Sequence, residues 1–213
     1  PMLYIGEEVG TGAGPAVDIA LDPLERTTLT AKDMPNALTV IAMGPRGSML
    51  HAPDVYMEKL AIGPGFKPGV VTLAMSPAER VSALAAAKGC STTDITVCVL
   101  ERPRHEEMIA EIRSTGAAIR LITDGDVAGS LMAVDTHSDV DVMMGTGGTP
   151  EGVLSACAIR AVGGQMLARL DPQSPEEKDA LLQAGFDLSR VLTAQDLVNS
   201  EDTFFAATGI SGG

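Results

Sequence analysis

A group of polar side chains near the start of the chain has the types and spacing expected of a cation site. Asp22, Glu25 and Thr27 fall within six residues, directly after a strand predicted over 17–21. Pro23 favours a turn there, so that the two carboxylates can converge on one hard cation, which prefers oxygen ligands. The segment predicts a Mg²⁺ or Mn²⁺ site, although a simple turn capped by aspartate would use the same residue types.

Three polar loops are predicted to follow strands in the second half of the chain. They are residues 101–104, 123–126 and 145–151. Because the carboxyl ends of parallel strands meet at one edge of a sheet, we expect these loops to line one ligand site. Arginines suit phosphate, aspartates suit sugar hydroxyls or a cation, and a glycine-rich helix start exposes backbone amides. Together they describe a phosphorylated, hydroxylated ligand, whereas each loop alone is equally well explained as a plain connector.

The elements that must position these loops alternate between strands and helices. Strands are predicted over 95–100, 118–122 and 139–144, and helices over 104–115, 126–134 and 150–162. This alternation indicates a parallel sheet with right-handed crossovers. The first third, with strands predicted over 17–21 and 37–43, indicates an antiparallel or mixed sheet. We therefore expect an α/β fold with a mixed-sheet metal and phosphate sub-domain over 1–80 and a Rossmann-like, sugar-binding sub-domain over 81–213.

Two further helices share one opening pattern, Ser-Pro-x-Glu. Ser76 and Ser174 are the predicted N-caps, each with a glutamate three residues later that can return a hydrogen bond to the serine backbone. Gly89 and Gly185 are the predicted stops, because glycine accepts the left-handed conformation that often ends a helix.

Composition excludes several classes of function. The chain has 15 Lys and Arg against 28 Asp and Glu, a net charge of −13 that repels nucleic acid and anionic lipid. No apolar run approaches the roughly 20 residues that cross a bilayer, so we expect a cytoplasmic protein. The three cysteines, Cys90, Cys98 and Cys157, lie far apart among apolar residues, which indicates reduced thiols in the core.

The segment Asp22-Pro23-Leu24-Glu25 resembles the Asp-Pro-Ile-Asp/Glu-Gly-Thr signature of the lithium-sensitive sugar and inositol phosphatases. The segment 1–7 narrows the resemblance to class II fructose-1,6-bisphosphatase. Further matching segments cover nearly the whole chain, at 36–38, 52–60, 103–105, 124–128, 147–152 and 207–210. The resemblance implies a layered sugar-phosphatase fold and hydrolysis of the 1-phosphate of fructose 1,6-bisphosphate with Mn²⁺ or Mg²⁺, in gluconeogenesis. It also implies activity on sedoheptulose 1,7-bisphosphate in photosynthetic relatives.

The resemblance assigns roles to individual residues. Asp22, Glu25 and Glu151 would be metal ligands, and Thr27 would orient or activate the attacking water, so that Asp22, Glu25 and Thr27 form the catalytic set. The implied substrate-binding residues are Glu25, Arg26, Thr27, Tyr56, Arg102, Pro103, Arg104, Asp124, Gly125, Asp126 and Gly148. The expected partner is a small sugar bisphosphate, without nucleic acid or membrane, and the protein is expected to be a homo-oligomer.

Two departures from the family pattern lead to competing hypotheses. Arg26 stands where the signature has glycine, beside the position of the reacting phosphate. Family members also extend beyond both ends of this chain, and their N-terminal segment carries further acidic ligands and a lysine, so the chain resembles an internal fragment. The alternatives are an active metal-dependent bisphosphatase, a catalytically silent sugar-phosphate-binding remnant, and a fragment too incomplete to fold stably.

Overall fold

Two β-sheets, with helices between and outside them, make up the fold, which is given by a computed structural model describing residues 6–212. Residues 1–5 of the segment that carries the family resemblance lie outside the described part. The strands, in chain order, are β1 (Val17–Glu25), β2 (Leu38–Pro45), β3 (Tyr56–Ile62), β4 (Thr96–Leu100), β5 (Ala118–Ile122), β6 (Val142–Gly148), β7 (Gln165–Leu170), β8 (Leu192–Thr193) and β9 (Phe204–Gly209). The helices are α1 (Thr27–Ala31), α2 (Pro77–Lys88), α3 (Glu106–Ser114), α4 (Asp126–Val134), α5 (Thr149–Ala161), α6 (Pro175–Gln183) and α7 (Ala194–Leu197).

The larger sheet has six strands in the order β5-β4-β6-β3-β7-β8. The pairs β4–β5 and β4–β6 are parallel, which confirms the predicted Rossmann-like part. The remaining pairs are antiparallel: β3 runs against both β6 and β7, and β8 runs against β7. The sheet as a whole is therefore mixed, and β3, which the sequence reasoning did not predict, joins its two parts.

The smaller sheet has three strands in the order β1-β2-β9, all antiparallel. It agrees with the antiparallel or mixed sheet predicted for the first third of the chain, but its third strand comes from the other end of the chain. Since β3 lies in the larger sheet and β9 in the smaller one, sheet membership does not follow a division at residue 80. The sub-domain boundary stays a prediction.

Helix α5 holds the two sheets together. It contacts β1, β2 and β9 on one side and β3, β6 and β7 on the other, and α4 packs beside it against the larger sheet. Burying both faces of the larger sheet excludes its apolar side chains from water, which is the main favourable contribution to folding. The outer face of the smaller sheet, in contrast, exposes Val17, Ile19, Ile41 and Phe204.

The helix-start patterns agree closely with the structure. Ser76 accepts a hydrogen bond from the Glu79 amide and the Glu79 carboxylate accepts one from the Ser76 amide, so the predicted capping box is complete. Ser174 caps α6 in the same way, but the Glu177 carboxylate accepts from the amide of Gln173 instead. Both Gly89 and Gly185 have positive φ, as predicted for helix stops.

Three predicted boundaries are wrong, and each error concerns the site. β6 covers Val142–Gly148 rather than 139–144, because its glycines pair with β3 instead of forming a loop. α5 therefore begins at Thr149, one residue before the predicted start, with Gly148 as its N-cap. Asp22 does not follow β1 but lies inside it, and a bulge between Asp22 and Glu25 takes the place of the predicted turn.

The cysteines are free, as predicted, with Cys98 and Cys157 buried and Cys90 half-buried. Among residues 6–212, no helix has both the length and the apolar character needed to cross a bilayer.

Candidate active site

Segments from both sheets meet at the end of β5, where α4 begins. Asp124 and Gly125 follow β5, and Asp126 is the first residue of α4. Glu25, the last residue of β1, reaches this point from the smaller sheet, since its Oε1 accepts hydrogen bonds from the amides of Val127 (3.0 Å) and Ala128 (3.3 Å). Those amides have no partner within the helix, so the carboxylate of one sheet satisfies the helix start of the other.

A buried lysine connects the starts of two helices. The Lys59 side chain is 1% exposed, and its ammonium donates to Asp126 Oδ2 at the start of α4 and to the carbonyl of Gly148 (2.8 Å), the N-cap of α5. We call these three residues the Lys59 network. Burial of a charge is costly unless it is paired and hydrogen-bonded, and the Lys59 network provides both.

The last glycines of β6 leave the space that these side chains occupy. A Cβ at Gly147 would overlap Asp126 Oδ2 and lie 3.2 Å from Lys59 Nζ, and a Cβ at Gly148 would overlap the carboxylate of Glu151. The glycines predicted as a loop that exposes backbone amides at a helix start lie instead in a strand paired with β3. Their role is to let polar side chains approach the backbone closely.

Arg104 is held over Tyr56 at the same edge of the larger sheet. Its guanidinium lies 4.7 Å from the Tyr56 ring centroid and donates two hydrogen bonds to the Thr146 carbonyl, at 3.0 and 2.8 Å. The Thr146 amide donates in turn to His105 Nε2 (2.8 Å), and His105 Nδ1 donates to the Leu100 carbonyl (2.8 Å). His105 is buried, and this burial lowers its pKa, in keeping with a neutral ring that accepts at Nε2.

The Glu25 carboxyl group lies in a negatively charged environment. Burial, the negative charge of Asp126 and a hydrogen bond with the Asp22 carboxyl group raise the pKa of Glu25 to about 8. Two carboxyl groups within hydrogen-bonding reach must share either a proton or a cation, because both cannot be ionised without strong repulsion. Burial and the charge of Asp126 also raise the pKa of Glu151.

These oxygen donors and their mutual repulsion suit a hard divalent cation. The three predicted ligands are not gathered around one point, however. Within residues 6–212, no three side chains of the types Asp, Glu, His and Cys are grouped closely enough to hold one ion together. Glu25 is held at α4, and the Glu151 carboxylate lies against Gly148. The assignment of Asp22, Glu25 and Glu151 as a ligand set stays a prediction.

Arg26 has a strained backbone and fills the space beside Gly125. Its φ of 69° and ψ of 50° place it in the left-handed region that favours glycine. Its side chain packs against Gly125, with Nε 2.7 Å from the position that a Cβ there would take. Among residues 6–212, that Nε is buried without a hydrogen-bond partner, while Nη1 of Arg26 donates to the Asn36 carbonyl at 3.4 Å.

The other predicted site residues surround Arg26 or the end of β4. Asp124 Oδ2 accepts from the Thr28 amide (2.9 Å), and Asp124 Oδ1 lies 3.9 Å from the guanidinium of Arg102. Thr27 is exposed, and its hydroxyl donates to the Leu24 carbonyl at 3.4 Å. Pro103 begins a 3₁₀ turn that separates β4 from α3 and places Arg104 beside Thr146.

Two important residues were missed by the sequence reasoning. Lys59 and His105 are both buried. Lys59 joins the predicted site residue Asp126 to the carbonyl of Gly148, whereas His105 joins the Thr146 amide to the Leu100 carbonyl. The signal for Lys59 was available, since a lysine between Met57 and Ala61 shares the face of two fully buried residues of β3. The partners of His105 are backbone atoms, which a sequence does not reveal.

A cavity of about 660 Å³ lies elsewhere in the molecule, between β3, β7 and the end of α5. None of the predicted site residues lines it. A smaller one of about 350 Å³ includes Arg102 and Pro103 together with Glu106 and Arg113 of α3. The first cavity therefore does not mark the predicted site, whereas the second borders it.

The chain matches known fructose-1,6-bisphosphatases. The sequence model of the family described as bacterial fructose-1,6-bisphosphatase, glpX-encoded, matches residues 1–213. Fructose-1,6-bisphosphatase 1 class 2 of Escherichia coli is 45% identical over 226 residues, which cover 100% of this chain and 67% of that protein. Fructose-1,6-bisphosphatases class 2 from a second Escherichia coli strain and from Shigella flexneri show the same identity and coverage.

Proposed function

Because the chain belongs to the family of bacterial, glpX-encoded fructose-1,6-bisphosphatases, we propose that its site hydrolyses the 1-phosphate of fructose 1,6-bisphosphate to fructose 6-phosphate and phosphate. The family's enzymes are phosphoric monoester hydrolases that act on a small sugar bisphosphate. The observation that carries the proposal is the meeting of Glu25, from the smaller sheet, with the start of α4 beside Asp126. A carboxylate of the smaller sheet thereby lies beside one at the start of α4, near the end of β5.

We expect residues at the edge of the larger sheet to bind the phosphate and the sugar. The Arg102 side chain is 35% exposed and Arg104 is an exposed residue, so both can form charge-assisted hydrogen bonds with phosphate oxygens. Asp124 and Asp126 would accept hydrogen bonds from sugar hydroxyls, and the Tyr56 ring would support Arg104 from below. The net charge of −13 disfavours an anionic substrate unless a cation is present.

The family implies a divalent cation, and we propose Mn²⁺ or Mg²⁺, held by Asp22, Glu25 and Glu151. When bound, such an ion polarises phosphoryl oxygens and lowers the pKa of a water molecule. Hydrolysis forms a bond from the water oxygen to phosphorus and breaks the bond between phosphorus and the C1 oxygen, which takes up a proton. The Thr27 hydroxyl, exposed beside Glu25, would orient that water.

A second candidate function, sugar-phosphate binding without catalysis, is favoured by one observation. The Arg26 side chain fills the space beside Gly125, between the two aspartates of the substrate loop. A glycine at position 26, as in the family signature, would leave that space open. Arg26 would then exclude the reacting phosphate while the sugar-binding edge stays intact.

The deciding experiment measures phosphate release from fructose 1,6-bisphosphate with Mn²⁺, for the wild type and for Arg26→Gly. Activity in both, abolished by Glu25→Gln, supports the bisphosphatase. Activity in Arg26→Gly alone identifies Arg26 as the obstacle. If both are silent, thermal stabilisation by fructose 6-phosphate would support the binding function, and its absence would argue against both candidates. A broad, non-cooperative melting curve would instead support a chain that does not fold stably.

Finer aspects of the function stay proposals. Activity on sedoheptulose 1,7-bisphosphate is tested in the same assay, and gluconeogenesis and a cytoplasmic location are the expected setting. We also propose a homo-oligomer, which the apolar outer face of the smaller sheet supports, because exposed apolar patches are common at interaction surfaces. Sedimentation velocity would detect it as a species heavier than the 22.0 kDa chain.

A further inference from the structure

Lys59 is the most deeply buried charged side chain among the described residues, and its place in β3 gives it access to both helix starts of the site. β3 is an inner strand, paired with β6 on one side and β7 on the other. Lys59 shares its face with Met57 and Ala61, which are fully buried. A methionine or leucine would fill this position at lower desolvation cost, so packing alone does not account for a lysine.

The contacts of Lys59 fix the orientation of Asp126. Its ammonium holds Asp126 Oδ2, while Oδ1 of the same carboxylate accepts no hydrogen bond from the described residues. The second contact, 2.8 Å to the Gly148 carbonyl, ties Asp126 to the backbone from which α5 starts. One oxygen of Asp126 is thus held by the protein and the other is left for a ligand.

Resting on the proposed function, we propose that Lys59 is a positioning residue that holds Asp126 and Gly148 in the arrangement that binds the sugar phosphate. Lys59 itself does not touch the substrate, because its side chain is enclosed by β6 and α4. Its contribution is the fixed direction of the free Asp126 oxygen. Substitution of residues that orient metal ligands in this way typically changes affinity or activity by about 10- to 100-fold, and we expect an effect of that order here.

The test uses Lys59→Met, which keeps an unbranched side chain only one atom shorter and removes the ammonium. We expect the Kd of fructose 6-phosphate, measured by calorimetry, and the KM for fructose 1,6-bisphosphate to rise at least about tenfold. The matched control is Arg80→Met. Arg80 is also a buried cation, 3% exposed, but it pairs with Glu58, which points to the opposite face of β3. Arg80→Met should lower the melting temperature and leave Kd and KM unchanged.

A second variant addresses the geometry without removing a charge. Gly147→Ala places a methyl group where Asp126 Oδ2 now lies and should weaken binding in the same direction. Lys59→Met with unchanged Kd and KM would overturn the inference, and if Lys59→Met does not fold, unchanged binding in Gly147→Ala would overturn it. A wild type that neither hydrolyses nor binds these sugars overturns the proposed function, and this inference with it.

Discussion

The two sheets contribute site residues that differ in how completely the protein satisfies them. On the larger sheet, Lys59 is matched by Asp126 and by the Gly148 carbonyl, and His105 has a backbone partner at each ring nitrogen. On the smaller sheet, the buried Nε of Arg26 has no hydrogen-bond partner in the described part of the chain, and Glu25 must share a proton or a cation with Asp22. The site residues of the larger sheet are held in place by contacts within the protein. The conformation and charge of those on the smaller sheet depend on bound protons or added ions.

This difference shows which half of the site a substitution or a change of pH can alter. Buried groups that are fully paired lose much free energy when one partner is removed. Groups that are strained or short of partners respond instead to pH, to cations and to relief of the strain. Substitutions in the two halves should therefore change the free energy of unfolding in different directions as well as by different amounts.

The largest effect is expected for Asp126→Ala, which leaves the Lys59 ammonium buried without its counter-charge. We expect a loss of about 3–5 kcal/mol in the free energy of unfolding, measured by urea denaturation. The control is Asp139→Ala, because the Asp139–Arg120 ion pair is exposed and should be worth less than about 1 kcal/mol. Equal losses in the two variants would contradict the view that the larger-sheet half is held by buried pairing.

A smaller loss is expected for His105→Leu. The variant leaves the Thr146 amide and the Leu100 carbonyl without their buried partner and should cost about 2 kcal/mol of unfolding free energy. It should also raise KM, because Thr146 is the anchor of Arg104. His137→Leu, at an exposed histidine, serves as the control with no expected change in either quantity. A His105 variant as stable as the wild type would show that the two hydrogen bonds contribute little.

The third prediction concerns pH in the presence of a chelator. The pKa of Glu25 is raised from 4.5 to about 8, so the folded state keeps a proton that the unfolded chain releases. Stability from this group is complete below pH 4.5 and is lost as pH rises toward 8, by up to about 1.4 kcal/mol per pH unit. The raised pKa of Glu151 acts in the same direction.

Thermal melting between pH 5 and 8 would measure this slope in the wild type and in Glu25→Gln, which should have a flatter profile. Mn²⁺ should displace the proton, so its stabilising effect should increase with pH. A wild type and a Glu25→Gln variant with parallel profiles would mean that the Glu25 carboxyl group is not the source of the slope.

The smallest predicted effect is a gain, rather than a loss, in the free energy of unfolding. Arg26→Gly should raise the free energy of unfolding by about 1 kcal/mol, because the left-handed backbone of Arg26 is strained for any residue with a Cβ. Arg26→Ala removes the same side chain, with its buried Nε, but keeps the left-handed strain, so the glycine variant should be the more stable of the two. Urea midpoints that rank alanine above glycine would contradict this account.

The sequence predicted the parts of the fold that depend on local patterns. The Ser76 capping box and the elements β5 and α4 follow from residues next to each other in the chain. β3 was missed because the adjacent charges Glu58 and Lys59 interrupt its apolar pattern, and their partners lie 22, 67 and 111 residues away.

Several residues of the site were predictable from the sequence, but not the backbone geometry around them. Family resemblance and strand-end loops singled out Glu25, Arg26 and Asp126, which the structure brings together. They did not indicate the bulge in β1, because a bulge depends on the register with β2. They also assigned Gly148 to a loop, since glycine is far more common in loops than in an inner strand that needs close approach of side chains.

The glycines at the end of β6 also have a genetic consequence. Every missense change at a glycine codon adds at least a Cβ. At Gly147 and Gly148 that atom would overlap a carboxylate of the site, and at Gly145 it would lie 3.1 Å from the His105 ring. A missense change at any of these positions is therefore expected to displace a side chain of the site, whereas a Cβ added at Gly209 would meet no atom of residues 6–212 within 4 Å.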